Sequence, residues 1–394
     1  MRMPRPGLFG RVLLVGVMVG CRASEPGTPP ALGEPLAGLT AEERARFDAG
    51  LALFNRVFTS EEGVGPFFNE NQCSACHTLP ATGGTGEQFV TRASRFIAPA
   101  GCDPLAAAGG ENVRVHVTPR MLAHGVERQP FPPEATERTR FNVPFIFGLG
   151  LIEAIPLDAI LANADPEDMD GDGISGRAGS DMAGRLSRFG RKADVSSIRE
   201  FVQSAAFMEM GLTSARYPQE WSIDGAVYPR EVDPAADPEL DDSTVDALTD
   251  FVRLLAPPPR RMGETEEDRD AIGRGEELFR DVGCTSCHVP SMRTGRDPVS
   301  ALDNKEVPLY TDLLLHDMGE GLRNVCAPGA SPTELRTASL MGLGYRRAFL
   351  HDSRAGDLPE AILMHGGEAT QVRERYRALT EIQRAYLIRF LQSL

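Results

Sequence analysis

Three things are scarce in this 394-residue chain, and each scarcity excludes something. Positive charge is short: 41 Lys and Arg stand against 56 Asp and Glu, a formal net charge of −15. That argues against a nucleic-acid partner and against electrostatic binding to anionic lipid. Strand-like alternation of polar and apolar residues is missing, which points away from a β-rich fold. Tryptophan is nearly absent: Trp221 stands alone, a relay for electrons on one reading and a core or loop residue on the other. What remains is ordinary for a globular protein, at 41% hydrophobic and 25% charged residues. The length suits two or three domains, each with its own core.

Arg2, Arg5 and Arg11 precede the apolar run Val12 to Gly20, which ends at Cys21. A basic start and an apolar run too short to cross a bilayer describe an export signal. Met18-Val-Gly-Cys21 resembles a lipoprotein cleavage site, after which Cys21 carries the lipid and anchors the protein on the periplasmic side. An ordinary cleaved secretory signal is the other reading. Loss of residues 1–20 removes three arginines and no acids, leaving −18, a surface that suits a small basic redox protein as electron donor.

The seven cysteines are not scattered. Cys73-Ser-Ala-Cys76-His77 recurs as Cys284-Thr-Ser-Cys287-His288. Two cysteines at i and i+3 followed by histidine form a c-type haem attachment pattern. The thiols bond the two vinyl groups of one haem, and the histidine becomes the proximal iron ligand. A zinc ribbon needs a second cysteine pair at short range, and a thioredoxin-like pair normally sits in a βαβ unit. Two such pentapeptides in an exported chain predict two covalent haems c. Cys102 and Cys326 remain, each beside proline or glycine; an oxidising compartment favours their pairing, and two unrelated loop thiols are the alternative.

Taken in order, residues 22–39 are rich in Pro, Gly, Ala and Ser and read as a flexible tether. Thr40-Ala-Glu-Glu43 is a capping box, followed by Phe47, Leu51, Phe54 and Phe58 at helical spacing. Gly50-x-x-Leu-Phe54 matches Gly275-x-x-Leu-Phe279, so helix and haem motif occur twice, the first copy with a loop insertion from Thr59 to Gln72. Between the copies, Phe141 to Pro156 is almost wholly apolar around a single acid, Glu153. Asp168-Met-Asp170-Gly-Asp172-Gly173 looks like the start of a calcium loop, although position 12 of an EF-hand falls on Gly179. It reads either as a calcium site of another type or as an acidic surface turn. Val245 to Leu255, with Ser243 as N-cap, closes the first half, and Ala256-Pro-Pro-Pro259 links it to the second. Thr380-Glu-Ile-Gln383 is another capping box, opening a final helix with Ile382, Tyr386, Phe390 and Leu394 on one stripe. The expected fold is all-α: two cytochrome-c-like helical domains, 40–258 with a large insertion and 263–394.

The longer motifs carry a resemblance. Arg336-Thr-Ala-Ser-Leu340, Phe349-Leu-His-Asp352 and Leu358-Pro-Glu-Ala-Ile362, with the two haem motifs, resemble the bacterial di-haem cytochrome c peroxidase and MauG superfamily. Gly148-Leu-Gly-Leu-Ile-Glu-Ala-Ile155, Asp170-Gly-Asp-Gly-Ile-Ser-Gly-Arg177, Arg188-Phe-Gly190, Leu313-Leu-Leu-His-Asp-Met-Gly319 and His365-Gly-Gly-Glu-Ala369 resemble its di-haem oxidoreductases, sometimes called thiol oxidoreductases. Arg191 stands where that family usually has an aromatic residue, Leu335 replaces a tryptophan, and Ser353 replaces a glycine. The resemblance implies that His365 is the second axial ligand of the haem bound by His288, with adjacent Met364 as runner-up. It also implies peroxide or another small oxidant at the haem held by His77, with Glu153 as the proton-handling acid; a solvent-facing glutamate at a helix end is the plain alternative. His116, His124 or Met121 would fill the first haem's distal side in a pure electron carrier. A MauG-like enzyme would instead oxidise a partner protein.

Overall fold

The computed structural model describes residues 29–220, 228 and 231–394. The signal segment, Cys21 and Trp221 lie outside the described residues. Two helix pairs set the frame. Ala41–Phe54 crosses Asp242–Leu254, and Glu266–Val282 crosses Glu381–Leu391. Glycine makes both crossings possible. A Cβ on Gly50 would sit 2.0 Å from the Ala247 carbonyl oxygen, and one on Gly275 would sit 2.1 Å from that of Tyr386. The recurring Gly-x-x-Leu-Phe motif therefore marks equivalent helix contacts. Its phenylalanines fill them, Phe54 against Phe251 at 4.6 Å and Phe279 against Phe390 at 5.4 Å between ring centres. Burying side chains of this kind is worth about 1.5–3 kcal/mol each.

Both capping boxes form, at Thr40 with Glu43 and at Thr380 with Gln383. The helix expected from Val245 begins earlier, at Asp242, because the Asp241 carboxylate rather than Ser243 accepts the free Thr244 amide. From residue 34 the expected tether is docked: the Leu36 amide donates to Leu254 and the Ala256 amide to Glu34, at 2.8 and 3.0 Å. The main core runs from Leu36 through Phe251 to Leu314, so it takes in residues of both halves. A second core, from Ile272 to Leu394, belongs to the later helices.

The all-α expectation is wrong. Among the described residues helix accounts for only 34% and strand for 14%. Phe89–Ile97 is the centre of a three-stranded antiparallel sheet, with Gly101–Asp103 on one side and Glu137–Asn142 on the other. Four two-stranded ribbons add to it, among them Leu315–Asp317 with Glu334–Arg336. Phe89–Ile97 shows no alternation because most of its residues are half-buried on both faces. Cys102 on this sheet is disulfide-bonded to Cys326 of the second half, with Cα atoms 5.9 Å apart and a separation of 224 positions in sequence. A link closing so long a loop is worth roughly 2–5 kcal/mol in the entropic view. Arg323 reinforces the seam by pairing with Glu137 at 2.7 Å. Among the described residues no helix is long and apolar enough to cross a membrane.

The glycine crossings are testable. Gly275→Ala should lose about 1–3 kcal/mol, since the added methyl meets backbone that cannot step aside. Gly273→Ala, on the same helix with open space around it, should be neutral or slightly stabilising. Denaturant midpoints of the two variants decide; equal midpoints would contradict the packing.

Candidate functional site

Each Cys-x-x-Cys-His segment folds as one tight turn that presents its histidine to the helix pair behind it. Cys73–Cys76 is a single helical turn and Cys284–Ser286 a 3₁₀ turn. Each turn is closed by the histidine amide donating to the first cysteine's carbonyl, at 3.3 Å for His77 and 2.9 Å for His288. Phe54 stands 6.0 Å from the His77 ring and Phe279 6.3 Å from that of His288, so the duplicated phenylalanine backs the duplicated imidazole.

The ring nitrogens are assigned by their partners. His77 Nδ1 lies 2.9 Å from the Gly84 carbonyl, and His288 Nδ1 lies 2.9 Å from that of Tyr310. A carbonyl can only accept, so Nδ1 carries the proton and Nε2 is left with its lone pair. His365, just beyond the Leu358–Leu363 helix, repeats the arrangement on the Ala361 carbonyl at 2.8 Å. Burial lowers the pKa of all three, that of His288 to about 4, where the nearby His365 adds to the effect. His365 thus lies close enough to His288 to act on its charge. Met364 is the C-cap residue of the same helix.

The thiols discriminate between the chemistries. Burial pushes Cys73 up to about 11 and Cys284 up to about 12; burial with Glu209 and Glu70 pushes Cys76 up to about 12. A thioredoxin-like pair needs the opposite, a lowered thiol. Neither pair is disulfide-bonded, and no described cluster joins the two pairs as a four-cysteine zinc site. Paired thiols beside a neutral imidazole with a free Nε2 fit haem c at both places.

Glu153 is held at both oxygens. Oε1 accepts from the Ile198 amide at 2.7 Å, at the start of the Ile198–Ala205 helix, and Oε2 pairs with Arg253 at 3.1 Å. The acids that bear on Cys76 are Glu209 and Glu70, which the sequence reading passed over. Glu209 lies in the π-helical turn Ala206–Met210 and accepts from Asn69 at 2.6 Å. Met210 of the same turn places its sulfur 4.0 Å from the Cys73 sulfur. Such π-turns recur at functional sites. Of the three distal candidates, His116 and His124 are exposed and Met121 is buried against Phe67 and Val232.

In the acidic loop, ligand atoms of Asp168 and Asp170 come within 4.8 Å of each other and of Asp165, which the sequence reading omitted. Asp172 instead accepts from the Ile174 amide at 2.8 Å. Also unforeseen is His316, which is 3% exposed. Its Nε2 meets Asp312 and its Nδ1 meets Glu368, each at 2.8 Å. Burial opposes its charge, yet Asp312, then the Cys287 thiol at 3.7 Å and Glu368, push it up to about 12. Glu368 also accepts from the Ser175 hydroxyl at 2.8 Å and the Asp317 amide at 3.0 Å. The turn carrying His365 is thereby pinned to the acidic loop. The signal was the Asp312 to His316 spacing of four, but Glu368 is 52 residues further on.

His316→Gln should destabilise the protein by about 3–5 kcal/mol, because Asp312 and Glu368 would be left facing each other without a cation. Adding Asp312→Asn should recover part of the loss. Unfolding curves of the single and double variants check this; strict additivity would mean the groups do not interact.

Residues 134–394 match the family model described as "Di-haem oxidoreductase, putative peroxidase". No curated protein matches the chain. Among solved structures, the diheme peroxidase BthA from Burkholderia thailandensis E264 is 15% identical, with 89% of this chain and 86% of that one covered and a TM-score of 0.42. A MauG-like protein associated with microbial copper homeostasis is 15% identical over 94% of this chain and 95% of that one, with a TM-score of 0.42. Hydrazine synthase of Kuenenia stuttgartiensis is 13% identical over 98% and 100%, with a TM-score of 0.40.

Proposed function

The chain belongs to the di-haem oxidoreductase family, and on that premise we propose that it is a c-type di-haem enzyme of the peroxidase kind. Electrons would be taken up on the side of His288 and His365, and peroxide or another small oxidant reduced on the side of His77. The asymmetry between the two sites is the observation that carries this reading. His365 bears on His288, whereas none of the groups that shift His77 is a histidine. A second imidazole within electrostatic reach of His288, its Nδ1–H on the Ala361 carbonyl, supports two nitrogen ligands at that site.

Bound haem would supply one-electron redox chemistry and, where one axial position is free, a place for peroxide. The chain supplies the rest. Cys73, Cys76, Cys284 and Cys287 would fix the two haems covalently. The carbonyls of Gly84, Tyr310 and Ala361 orient the three imidazoles and keep Nε2 unprotonated. Proton handling at the first site falls to Glu153, with Glu209 nearer to Cys76 as its rival. A small basic cytochrome is the donor that the acidic chain would attract, and such attraction weakens as salt rises. Export to the periplasmic side and a lipid on Cys21 complete the proposal.

Protein made with haem c maturation should carry two covalent haems by mass spectrometry and show a high-spin component in its electronic spectrum. Reduced protein should consume hydrogen peroxide, faster at low salt with a basic donor. His365→Ala should turn the second haem high-spin; if Met364→Ala does so instead, the ligand assignment is wrong. Glu153→Gln and Glu209→Gln separate the two acids, the true one losing about 10²-fold in turnover at constant haem content. Two low-spin haems that ignore peroxide in every redox state would make the protein an electron carrier. Peroxide consumption only in the presence of an oxidisable partner protein would make it MauG-like.

Calcium is proposed at the loop carrying Asp168, Asp170 and Asp172, with Asp165 contributing. Chelator should then lower the unfolding temperature and calcium restore it, and Asp168→Asn/Asp170→Asn should abolish the difference. A chelator-insensitive wild type leaves an acidic turn.

A further inference from the structure

Arg191, Arg336 and Arg346 lie half-buried between residues of the two halves, and none forms an ion pair among the described residues. Arg191 donates to the main-chain and side-chain oxygens of Asn142. Arg336 donates to the carbonyls of Gly190 and Thr337 at 2.7 and 3.0 Å. The Arg346 guanidinium lies over the Phe145 ring at 4.2 Å. Arg92 flanks them: Arg92 and Arg191 share the Phe141 ring at 5.9 and 5.4 Å, and the Arg92 Nε is buried without a partner. The neighbouring carboxylates form no ion pair with the three arginines among the described residues, although Asp194 and Glu111 bear on Arg92. Asp352 is engaged by Arg354 at 2.6 Å and Asp312 by His316 at 2.8 Å, while Asp194 acts on Arg336 from beyond ion-pair reach.

Burial lowers the pKa of these arginines, Arg191 to about 9 and Arg336 and Arg346 to about 10, and Arg346, Arg336 and Arg92 all press on Arg191. Like charges gathered together and partly screened from water repel one another, and an anion placed among them relieves that repulsion. Their position says which anion. Asn142 and Phe145, which carry Arg191 and Arg346, flank Pro144, whose carbonyl bears on the His77 ring. Thr337, which Arg336 holds, accepts from the Thr311 hydroxyl at 2.8 Å, next to the Tyr310 carbonyl that orients His288. The cations therefore sit between the frames of the two candidate haem sites.

We propose that Arg191, Arg336 and Arg346 form a carboxylate-binding cage that receives haem propionates at the seam between the halves. A guanidinium fork matches a carboxylate in shape and charge, and propionates are the carboxylates a haem brings to that place. The cage rests on the di-haem reading above. It ties redox behaviour to the seam: positive charge beside a redox centre favours the added electron and raises its potential.

The test uses haem-loaded wild type, Arg346→Met, Arg191→Met and Arg346→Lys, with haem content and both midpoint potentials measured by spectroelectrochemistry. Each methionine variant should shift at least one potential downward or lose haem, and Arg346→Lys should recover most of the effect by keeping the charge. Unchanged potentials in both methionine variants, at two haems per chain, overturn the cage and leave the di-haem reading standing. A wild type that carries no haem overturns the reading, and the cage with it.

Discussion

A hydrogen bond from an imidazole Nδ1–H to a backbone carbonyl is the constraint on which the rest of this structure turns. A buried histidine can serve a metal only if its proton is kept on the far nitrogen, and a main-chain carbonyl does so without adding charge. Gly84, Tyr310 and Ala361 supply that carbonyl for His77, His288 and His365. Each carbonyl must then be held still. For Gly84 the means is a tight turn in which an added Cβ would lie 1.9 Å from the Leu79 carbonyl oxygen. For Tyr310 it is burial of the ring between Phe279 and Phe390. For Ala361 it is the regular helix that ends at Leu363.

That dependence explains which parts were legible in the sequence. The haem motifs, the Gly-x-x-Leu-Phe repeat and the two capping boxes are written within a few residues, and local patterns of that kind survive folding. Cys102 with Cys326 was reachable only by counting cysteines, since nothing near either residue names the other. The strands escaped because Phe89–Ile97 carries Arg92 and Arg95 among its apolar residues and is covered on both faces. Its alternation is hidden by burial rather than absent from the fold, and its partner Glu137–Asn142 lies some 40 residues away.

The polar interior was the least legible part. Asp312, His316 and Glu368 form a buried charge set only because two turns 52 residues apart are brought together. Glu153, by contrast, stood out as the single acid in an apolar run. In the structure that isolation has an architectural consequence. Its carboxylate ties the start of Ile198–Ala205 to Arg253, and Arg253 in turn reaches Asp297 in the second half. A lone acid in an apolar stretch needs partners whether or not it moves protons, so its isolation in sequence could not distinguish a frame residue from a catalytic one.

The same logic separates the two kinds of buried charge at the seam. The His316 cation is answered by carboxylates of the chain itself, and such a set is complete without any other molecule. The Arg191, Arg336 and Arg346 cations are answered by carbonyls and ring faces, which satisfy hydrogen bonds but leave the charge. Arg188 and Lys192, which are likewise held by carbonyls, show that the fold tolerates such charges singly; an anion that joined the grouped arginines would relieve their mutual repulsion. A net charge of −15 over the whole chain therefore coexists with a local group of cations at the seam. An anion received there would add one more contact between the halves to the disulfide and the Arg323–Glu137 pair that already join them.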